Sequence, residues 1–328
     1  MKSGAGKEQR SERAAARPAS SRPSSRPTAA PELERLLREG LRSLALDERM
    51  ERWAAAGSVP YPLPAGEWGP ALAAAGLALE ERDWLFPGLR EARGALSRGM
   101  PLEAYLAQIL GRSLGQGSVV SSPGEIADAA HRVASVAGGP ASHLPHAVGA
   151  ALAARLRRKD EVALALCGEA AVAEPDFHAA CNFAGVYRAP LLLGVRLEAG
   201  SDFDVEARAA AYGIAGVRLD PGDLEPFLAA LRALVGRVRG GSPTLLALAH
   251  PVDPEAAVAQ LAGRIGADVA ALRAEAGVAC DAAFEAAGRG SAASLEDLAR
   301  HVFAGPERHL GAELRELTVR PERLDQEI

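Results

Sequence analysis

The sequence predicts an α/β protein whose core is a parallel β-sheet flanked by helices. Four short apolar runs lie at 161–167, 190–196, 214–219 and 243–249, and helical patterns separate them. Hydrophobic residues are 48% of the 328 residues but aromatic residues only 4%, so small aliphatic side chains must build the core. Short apolar runs are typical of strands buried on both faces, and their alternation with helices indicates βαβ units.

Helices are predicted to dominate the N-terminal part, residues 31–112. Leucines at near-helical spacing predict a helix over 31–58, before a connector rich in proline and glycine. Helical patterns resume over 68–79 and 101–112. Residues 113–141 are rich in glycine, serine and proline and are predicted to be irregular.

The parallel-sheet core is predicted over about 142–250. The helical patterns that precede or connect its strands lie at 145–157, 176–188, 203–212 and 223–239. From 253 to 325 the sequence indicates helices throughout. Residues 31–328 are therefore expected to form a single α/β domain.

Residues 1–30 are predicted to be a disordered basic tail. They contain two lysines and five arginines against two glutamates, which gives a side-chain charge of +5, and they contain no aromatic residue. Such a segment cannot bury enough apolar surface to order itself. It is either a docking arm for an acidic partner or a solubilising extension.

The charge and the cysteine count argue against several classes of protein. A net charge of −5 argues against a nucleic-acid-binding protein, which normally carries a basic face. Cys167, Cys181 and Cys280 are too few and too scattered for a disulfide framework or a zinc site. The N-terminus lacks the apolar segment of a secretory signal, and the longest uncharged run, 133–154, contains two prolines. We therefore expect a soluble, cytoplasmic protein with no membrane span.

The ends of the first two predicted strands are the expected position of a binding site, because ligands of open parallel sheets bind at the carboxyl ends of strands. The first strand is followed by Gly168, Glu169 and Ala170. The second is followed by Leu197 and Glu198. These two ends carry the candidate site residues.

Four further stretches are 83–91 (DWLFPGLRE), 143–151 (HLPHAVGAA), 176–184 (DFHAACNFA) and 211–218 (AYGIAGVR). In this order they resemble the alpha subunit of the thiamine-diphosphate-dependent decarboxylase component of 2-oxo acid dehydrogenase complexes, of the pyruvate and branched-chain types. The resemblance covers roughly residues 35–315. It implies a thiamine-diphosphate-binding α/β fold and a heterotetramer with a beta subunit, in which the cofactor lies between the alpha and beta subunits.

The same resemblance implies that the cofactor site is degenerate. The family holds the cofactor diphosphate through Mg²⁺, with a Gly-Asp-Gly motif and a later Asn-Asn pair. The spacing between these motifs is kept here, but Gly168, Glu169 and Ala170 replace the first motif, and Leu197 and Glu198 replace the second. Glu169 is one methylene longer than Asp, and Ala170 adds a Cβ where the family has glycine. Two carboxylates still offer the oxygen atoms that Mg²⁺ prefers, so Glu169 and Glu198 are the candidate metal ligands.

Other family positions are altered as well. The Tyr-Arg pair followed by Glu-His, which lies near the cofactor phosphates in the family, reads LREA over 89–92. Arg90 and Gly168 are therefore the remaining candidates for cofactor binding. The family loop that closes over the cofactor after the last strand is missing, since the chain runs from His250 directly into a helix. His143 stands where the family has Gln.

Other conspicuous side chains are expected to be structural. His146 and His178 are expected to serve packing or a subunit interface. Cys167 and Cys181 are expected to be small core residues, and Phe177 is expected in the core or at an interface.

Three functions remain open. The first is a pseudoenzyme, an alpha-type subunit that binds no cofactor and acts as the structural or regulatory partner of a beta-type subunit, with a dihydrolipoyl acyltransferase core as a further partner. The second is an active thiamine-diphosphate-dependent decarboxylase of a 2-oxo acid, in which Glu169 and Glu198 hold Mg²⁺ and Arg90 holds phosphate. The third is a stand-alone module that binds a small ligand. We favour the first, and a cleft filled by side chains such as Leu89 and Leu197 would support it.

Overall fold

The computed structural model describes residues 29–114, 123–136, 138–251, 253–292 and 308–319. The strands in this part of the chain are β1 (Trp84–Pro87), β2 (Arg112–Ser113), β3 (Ala163–Gly168), β4 (Leu191–Arg196), β5 (Ala215–Leu219), β6 (Thr244–Leu248) and β7 (Ser291–Ala292). Within these residues, five strands form one sheet in the order β1-β3-β4-β6-β5. All its neighbouring strands are parallel, as predicted.

Helices cover both faces of this sheet. In the described residues they are α1 (Ala30–Ala55), α2 (Gly69–Leu77), α3 (Gly94–Ser97), α4 (Leu102–Ile109), α5 (Leu144–Leu156), α6 (Pro175–Tyr187), α7 (Val205–Ala210), α8 (Leu224–Arg239), α9 (Pro254–Ile265), α10 (Val269–Gly288) and α11 (Arg308–Val319). One apolar core joins α1, α2, α8 and α9 to the sheet, and another joins α5, α6 and α7 to it. The sheet is therefore the middle of three layers.

Burial on both faces explains the apolar runs of the sequence. In β4, Leu192 packs into the first core, whereas Leu191, Leu193 and Val195 pack into the second. All six residues of this strand are buried. A polar side chain without a partner would lose its water at either face, which is why the strand is apolar up to Arg196, whose charge is paired with Glu91.

Aspartates start several of the helices. The carboxylate of Asp204 accepts a hydrogen bond from the Ala207 backbone N–H at 2.9 Å, at the start of α7. Asp253 and Asp268 make the same contact at the starts of α9 and α10. Each cap satisfies a backbone donor that the helix cannot pair, which is worth about 1 kcal/mol.

A buried ion pair joins α1 to the segment that follows β1. The Arg93 guanidinium is almost fully buried and donates to Asp47 at 2.6 Å. Asp47 also accepts hydrogen bonds from the backbone N–H groups of Ala65 and Gly66, at 3.2 and 2.7 Å. The pair thereby holds the N-terminal helix, the connector and the end of β1 in one arrangement.

Two sequence predictions need correction. The N-terminal part 31–112 is not helical throughout, because Trp84–Pro87 forms β1 and pairs with β3 at the edge of the sheet. The region 253–325 is not helical throughout either, because β7 pairs with β2 in a separate antiparallel ribbon. Both strands are too short to give a periodic pattern.

Several predictions extend beyond the described residues. The basic tail predicted for 1–30 lies almost wholly outside them, as do 293–307 and 320–325 of the predicted helical tail. In the predicted irregular region 113–141, the described parts hold turns and isolated bridges such as Asp128–Val133. The single-domain organisation of 31–328 stays a prediction.

Candidate functional site

A cavity of about 320 Å³ opens beside the carboxyl ends of β3 and β4. The last residues of the two strands, Gly168 and Arg196, are paired in register, so both ends meet at one edge of the sheet. The cavity is lined by Tyr61, Leu63, Gly88, Leu89, Arg90, Glu91, Gly138, Gly139, Pro140, Ala141, His143, Cys167, Gly168, Ala170, Ala171 and Arg196. Of the predicted site residues, Arg90 and Gly168 line this cavity, whereas Glu169 and Glu198 do not.

The carboxylate of Glu169 accepts two hydrogen bonds from the turn that follows β4. Its Oε2 accepts a hydrogen bond from the backbone N–H of Glu198 at 2.7 Å, and its Oε1 accepts one from the Ser201 hydroxyl at 2.6 Å. The Ser201 Oγ in turn accepts from the Phe203 N–H at 3.2 Å. The structure therefore brings Glu169 to Glu198 through the Glu198 backbone, and the carboxylate of Glu169 stabilises the short loop.

A buried ion pair occupies the cavity wall. Arg196 donates from Nε to the carboxylate of Glu91, and both side chains are only 4% exposed. The guanidinium also lies over the indole of Trp68, 5.2 Å from the ring centroid. A charged hydrogen bond and a cation–π contact in a desolvated place both hold this cation in position.

Sequence reasoning missed Arg196. One signal was available: an arginine ends an otherwise apolar run, at the strand end where ligands are expected. Its partner lies 105 residues earlier in the chain, so the pairing itself depends on the order of strands in the sheet.

Arg90 and Gly168, the two predicted cofactor-binding residues, both line the cavity. Arg90 is exposed in the short 3-10 helix Arg90–Arg93, and its guanidinium makes no hydrogen bond or ion pair with any residue in the described ranges. A Cβ built on Gly168 would lie 3.6 Å from Nη2 of Arg196, which is an ordinary contact. The open guanidinium of Arg90 is thus the side chain best placed to meet a ligand.

His143 stands at the back of the cavity. It is 4% exposed, and its Nε2 donates to the backbone carbonyl of Leu166 at 2.9 Å. Burial lowers the pKa of His143, with a smaller opposing effect from that hydrogen bond. The imidazole is therefore neutral near pH 7.

Burial also raises the pKa of the Cys167 thiol. A protonated, enclosed thiol is not a nucleophile, so Cys167 is a core residue as expected. Cys181 is fully buried too, and burial raises its pKa to about 12. Phe177, on α6, is fully buried in the second core, which confirms the core interpretation.

Three other histidines of the described residues, His146, His178 and His250, lie outside the cavity lining. His146 is exposed at the start of α5, where its Nδ1 lies 3.1 Å from the Ser142 carbonyl oxygen. His178 packs against the hydroxyl of Tyr212, with Nδ1 2.5 Å from the oxygen. His250 contacts the Glu67 carboxylate at 3.1 Å.

Residues 47–250, more than half of the chain, match the family described as "Dehydrogenase E1 component". The chain belongs to this family, as the resemblance of its motifs predicted. Among the described residues, no helix is both long enough and apolar enough to cross a membrane.

Particular relatives are alpha subunits. The chain is 28% identical to 2-oxoisovalerate dehydrogenase subunit alpha of Bacillus subtilis (strain 168), over 64% of this chain and 68% of that protein. It is 31% identical to the mitochondrial subunit alpha 2 of 2-oxoisovalerate dehydrogenase of Arabidopsis thaliana, over 46% of this chain and 34% of that protein. It is 28% identical to pyruvate dehydrogenase E1 component subunit alpha of Bacillus subtilis (strain 168), over 66% and 58%. The matches therefore span between about one third and two thirds of the relatives' own length.

Solved structures agree on the fold. Transketolase from Campylobacter jejuni superposes with a TM-score of 0.51 at 17% identity, covering 84% of this chain and 51% of that chain. The predicted thiamine-diphosphate-binding α/β fold is therefore confirmed.

The strand ends carry different side chains from the Mg²⁺-held diphosphate site that this family implies. Mg²⁺ requires near-octahedral oxygen ligands at roughly 2.0–2.1 Å. Both carboxylate oxygens of Glu169 are already hydrogen-bonded to the turn, and the Arg196 cation lies beside Gly168. The roles of Glu169 and Glu198 as metal ligands, and of Arg90 and Gly168 as cofactor ligands, stay predictions.

Proposed function

We propose that this chain is an alpha-type subunit of a 2-oxo acid dehydrogenase decarboxylase component that has lost the metal-held cofactor. It acts instead as the structural or regulatory partner of a beta-type subunit. One observation carries the proposal: at the strand ends, Glu169 is committed to the turn after β4 and Arg196 is committed to Glu91. The sheet and its two helical layers are intact around this altered site, so the scaffold is kept although the ligand set is changed.

An exposed apolar surface on α5 and α6 supports a protein partner. We call it the α5–α6 patch, made of Leu156, Phe183, Val186 and Tyr187, which are 46–75% exposed. The rings of Phe183 and Tyr187 lie 5.6 Å apart, and Arg155 bonds the end of α6 to α5. Clustered apolar side chains of this size mark interaction surfaces. We propose that a beta-type subunit covers the patch in a heterotetramer, to which a dihydrolipoyl acyltransferase core binds.

Association with a beta-type subunit tests the structural role. The full chain is co-expressed with the beta-type subunit from the same organism, and the mass of the complex is measured by light scattering after size exclusion. Val186→Asp, in the patch, is expected to weaken association at least tenfold, because a charge would be buried at the interface. Val278→Asp is the matched control, since Val278 is 70% exposed against 66% for Val186 but lies on α10. A wild-type chain that forms no complex would contradict the proposal.

Calorimetry on the same complex tests the loss of the cofactor. Titration with thiamine diphosphate and Mg²⁺ is expected to show no metal-dependent binding, and the complex is expected to show no decarboxylation of 2-oxo acids. The retained cavity and the open Arg90 favour a second candidate, the active decarboxylase with a rebuilt metal site. Metal-dependent binding that disappears in Glu169→Ala would establish that candidate and overturn the first.

The third function predicts a different assembly. A monomeric or homodimeric chain that binds no beta-type subunit would support a stand-alone module for a small ligand.

We also propose a cytoplasmic location, because Cys167, Cys181 and Cys280 are all unpaired thiols, which suits a reducing compartment. Fluorescence of a tagged chain in its own cell, together with fractionation, tests the location.

A further inference from the structure

The cavity carries a net positive charge of one. Within the part of the chain that the structure describes, the charged side chains in its lining are Arg90, Glu91 and Arg196, and the neutral His143 adds nothing near pH 7. Glu91 neutralises one of the two arginines through the buried ion pair. A diphosphate carries at least two negative charges and would leave this site overcompensated, whereas a monoanion matches it.

Arg196 supplies a fixed cation where a metal would otherwise be needed. Only its Nε is engaged by Glu91, and its Nη atoms make no hydrogen bond within the described ranges. Neither Nη is among the fully buried polar atoms that lack a partner, so both keep some accessible surface, and Arg196 lines the cavity. Held over Trp68, the guanidinium loses little freedom on binding an anion, and guanidinium groups match the planar oxygens of carboxylates.

The other walls of the cavity are largely apolar. Leu63, Leu89, Pro140, Ala141 and Ala171 line it, and among the described residues the lining has no charged side chain besides the three already named. Its volume of about 320 Å³ is at the lower end of ligand pockets. Such walls suit a short aliphatic chain better than a nucleotide or a polyphosphate, both of which need many polar partners.

We propose that this cavity binds a small aliphatic monocarboxylate directly, with Arg90 and Arg196 as the cationic groups and without a divalent metal ion. The ligand's carboxylate meets the open guanidinium of Arg90 and the positive field of Arg196. Its hydrocarbon part contacts Leu63 and Leu89. The inference rests on the proposed loss of the metal-held cofactor, and it adds a ligand to a chain otherwise considered as a scaffold.

Saturation-transfer NMR on the full chain, or on its complex with the beta-type subunit, tests the proposal. The probe is isovalerate, in buffer that contains EDTA, and its uncharged analogue isopentyl alcohol tests the need for the carboxylate. We expect transfer to isovalerate only. Arg90→Gln is expected to raise the dissociation constant about 10- to 100-fold, the effect of losing one charged hydrogen bond. Arg157→Gln, an exposed arginine at the end of α5 and outside the lining, is the matched control and should bind as the wild type does.

The possible results separate this inference from the proposed function. No transfer to isovalerate at 10 mM, equal binding of the alcohol, or unchanged binding by Arg90→Gln would overturn the inference and leave the structural role intact. Inorganic phosphate that binds while isovalerate does not would overturn the carboxylate assignment. Thiamine diphosphate that binds only when Mg²⁺ replaces EDTA would overturn both.

Discussion

Breaking the ion pair between Glu91 and Arg196 tests whether this part of the cleft is dry. Each side chain is only 4% exposed, so the substitution of either one leaves the other charge buried without a partner. Measured penalties for that situation are about 3–5 kcal/mol. We expect Glu91→Gln to lower the free energy of unfolding by this amount. Arg196→Met should lie at the upper end, since it also removes the contact with Trp68, worth up to about 2 kcal/mol in a desolvated place.

The double variant measures the coupling between the two buried charges. Glu91→Gln together with Arg196→Met removes both charges, so it should be more stable than the sum of the single effects predicts, by up to about 3 kcal/mol. Urea unfolding followed by far-UV circular dichroism gives the four free energies of the cycle. Arg264→Gln is the control, because Arg264 and its partner Asp223 are each 35% exposed and their pair should contribute less than about 1 kcal/mol. Single effects below 1 kcal/mol at Glu91 and Arg196 would refute the picture of a dry, fixed guanidinium.

Three further predictions concern stability. Asp47→Ala should lower the free energy of unfolding by about 3–5 kcal/mol, because it leaves the buried Arg93 without its charged partner. Urea denaturation measures this change. Because burial lowers the pKa of His143, the folded state resists its protonation, so stability should fall as pH drops below the unfolded pKa of about 6.5, at up to about 1.4 kcal/mol per pH unit. Urea unfolding from pH 7.5 to 5 should show a smaller fall in His143→Gln. Gly185→Ala should destabilise by about 1–3 kcal/mol, since its Cβ would meet a backbone carbonyl, whereas Gly263→Ala, which meets nothing within 4 Å, should raise the melting temperature slightly.

Each of these has its own control. Glu34→Ala, which removes an exposed partner of Arg38, should leave the free energy of unfolding nearly unchanged and is the reference for the effect at Asp47. Because His146 contributes to the lowered pKa of His143, the wild type is the reference for the pH profile of His143→Gln. An identical profile for His143→Gln and the wild type would remove His143 as the cause. A Gly185→Ala variant as stable as the wild type would mean that the backbone at Tyr212 moves to make room for the new Cβ.

The parallel sheet was accessible from the sequence because its central strands are buried on both faces. The run over 190–196 does not alternate between apolar and polar residues, as a half-exposed strand would. It matches β4 within one residue. β1 gave no such signal, since it is four residues long and ends in Pro87. Its pairing with β3 is a tertiary contact, which places a short edge strand that local pattern cannot reveal.

The edge of the sheet that carries the candidate site could be predicted from the alternation of strands and helices. The side-chain contacts at that edge could not. Parallel strands bring their carboxyl ends together, so Gly168 and Glu198 were expected at one edge. The Glu169 carboxylate accepts a hydrogen bond from Ser201 across a loop. The spacing of residues in the sequence does not reveal such a side-chain contact. The cleft is also less filled than a lost cofactor would suggest, because Leu89 lines the cavity while Leu197 is packed in the core.

The contact between Glu169 and Ser201 constrains how this chain can change. Glu169→Asp would restore the residue type of the family, but it withdraws the carboxylate by one methylene from the Ser201 hydroxyl and the Glu198 N–H, both of which it now binds. The turn would loosen before any metal affinity appeared, and Arg196 would still stand beside it. Under the proposed loss of the metal-held cofactor, the residue at position 169 is therefore tied to the loop after β4, and a change of one requires a matching change of the other.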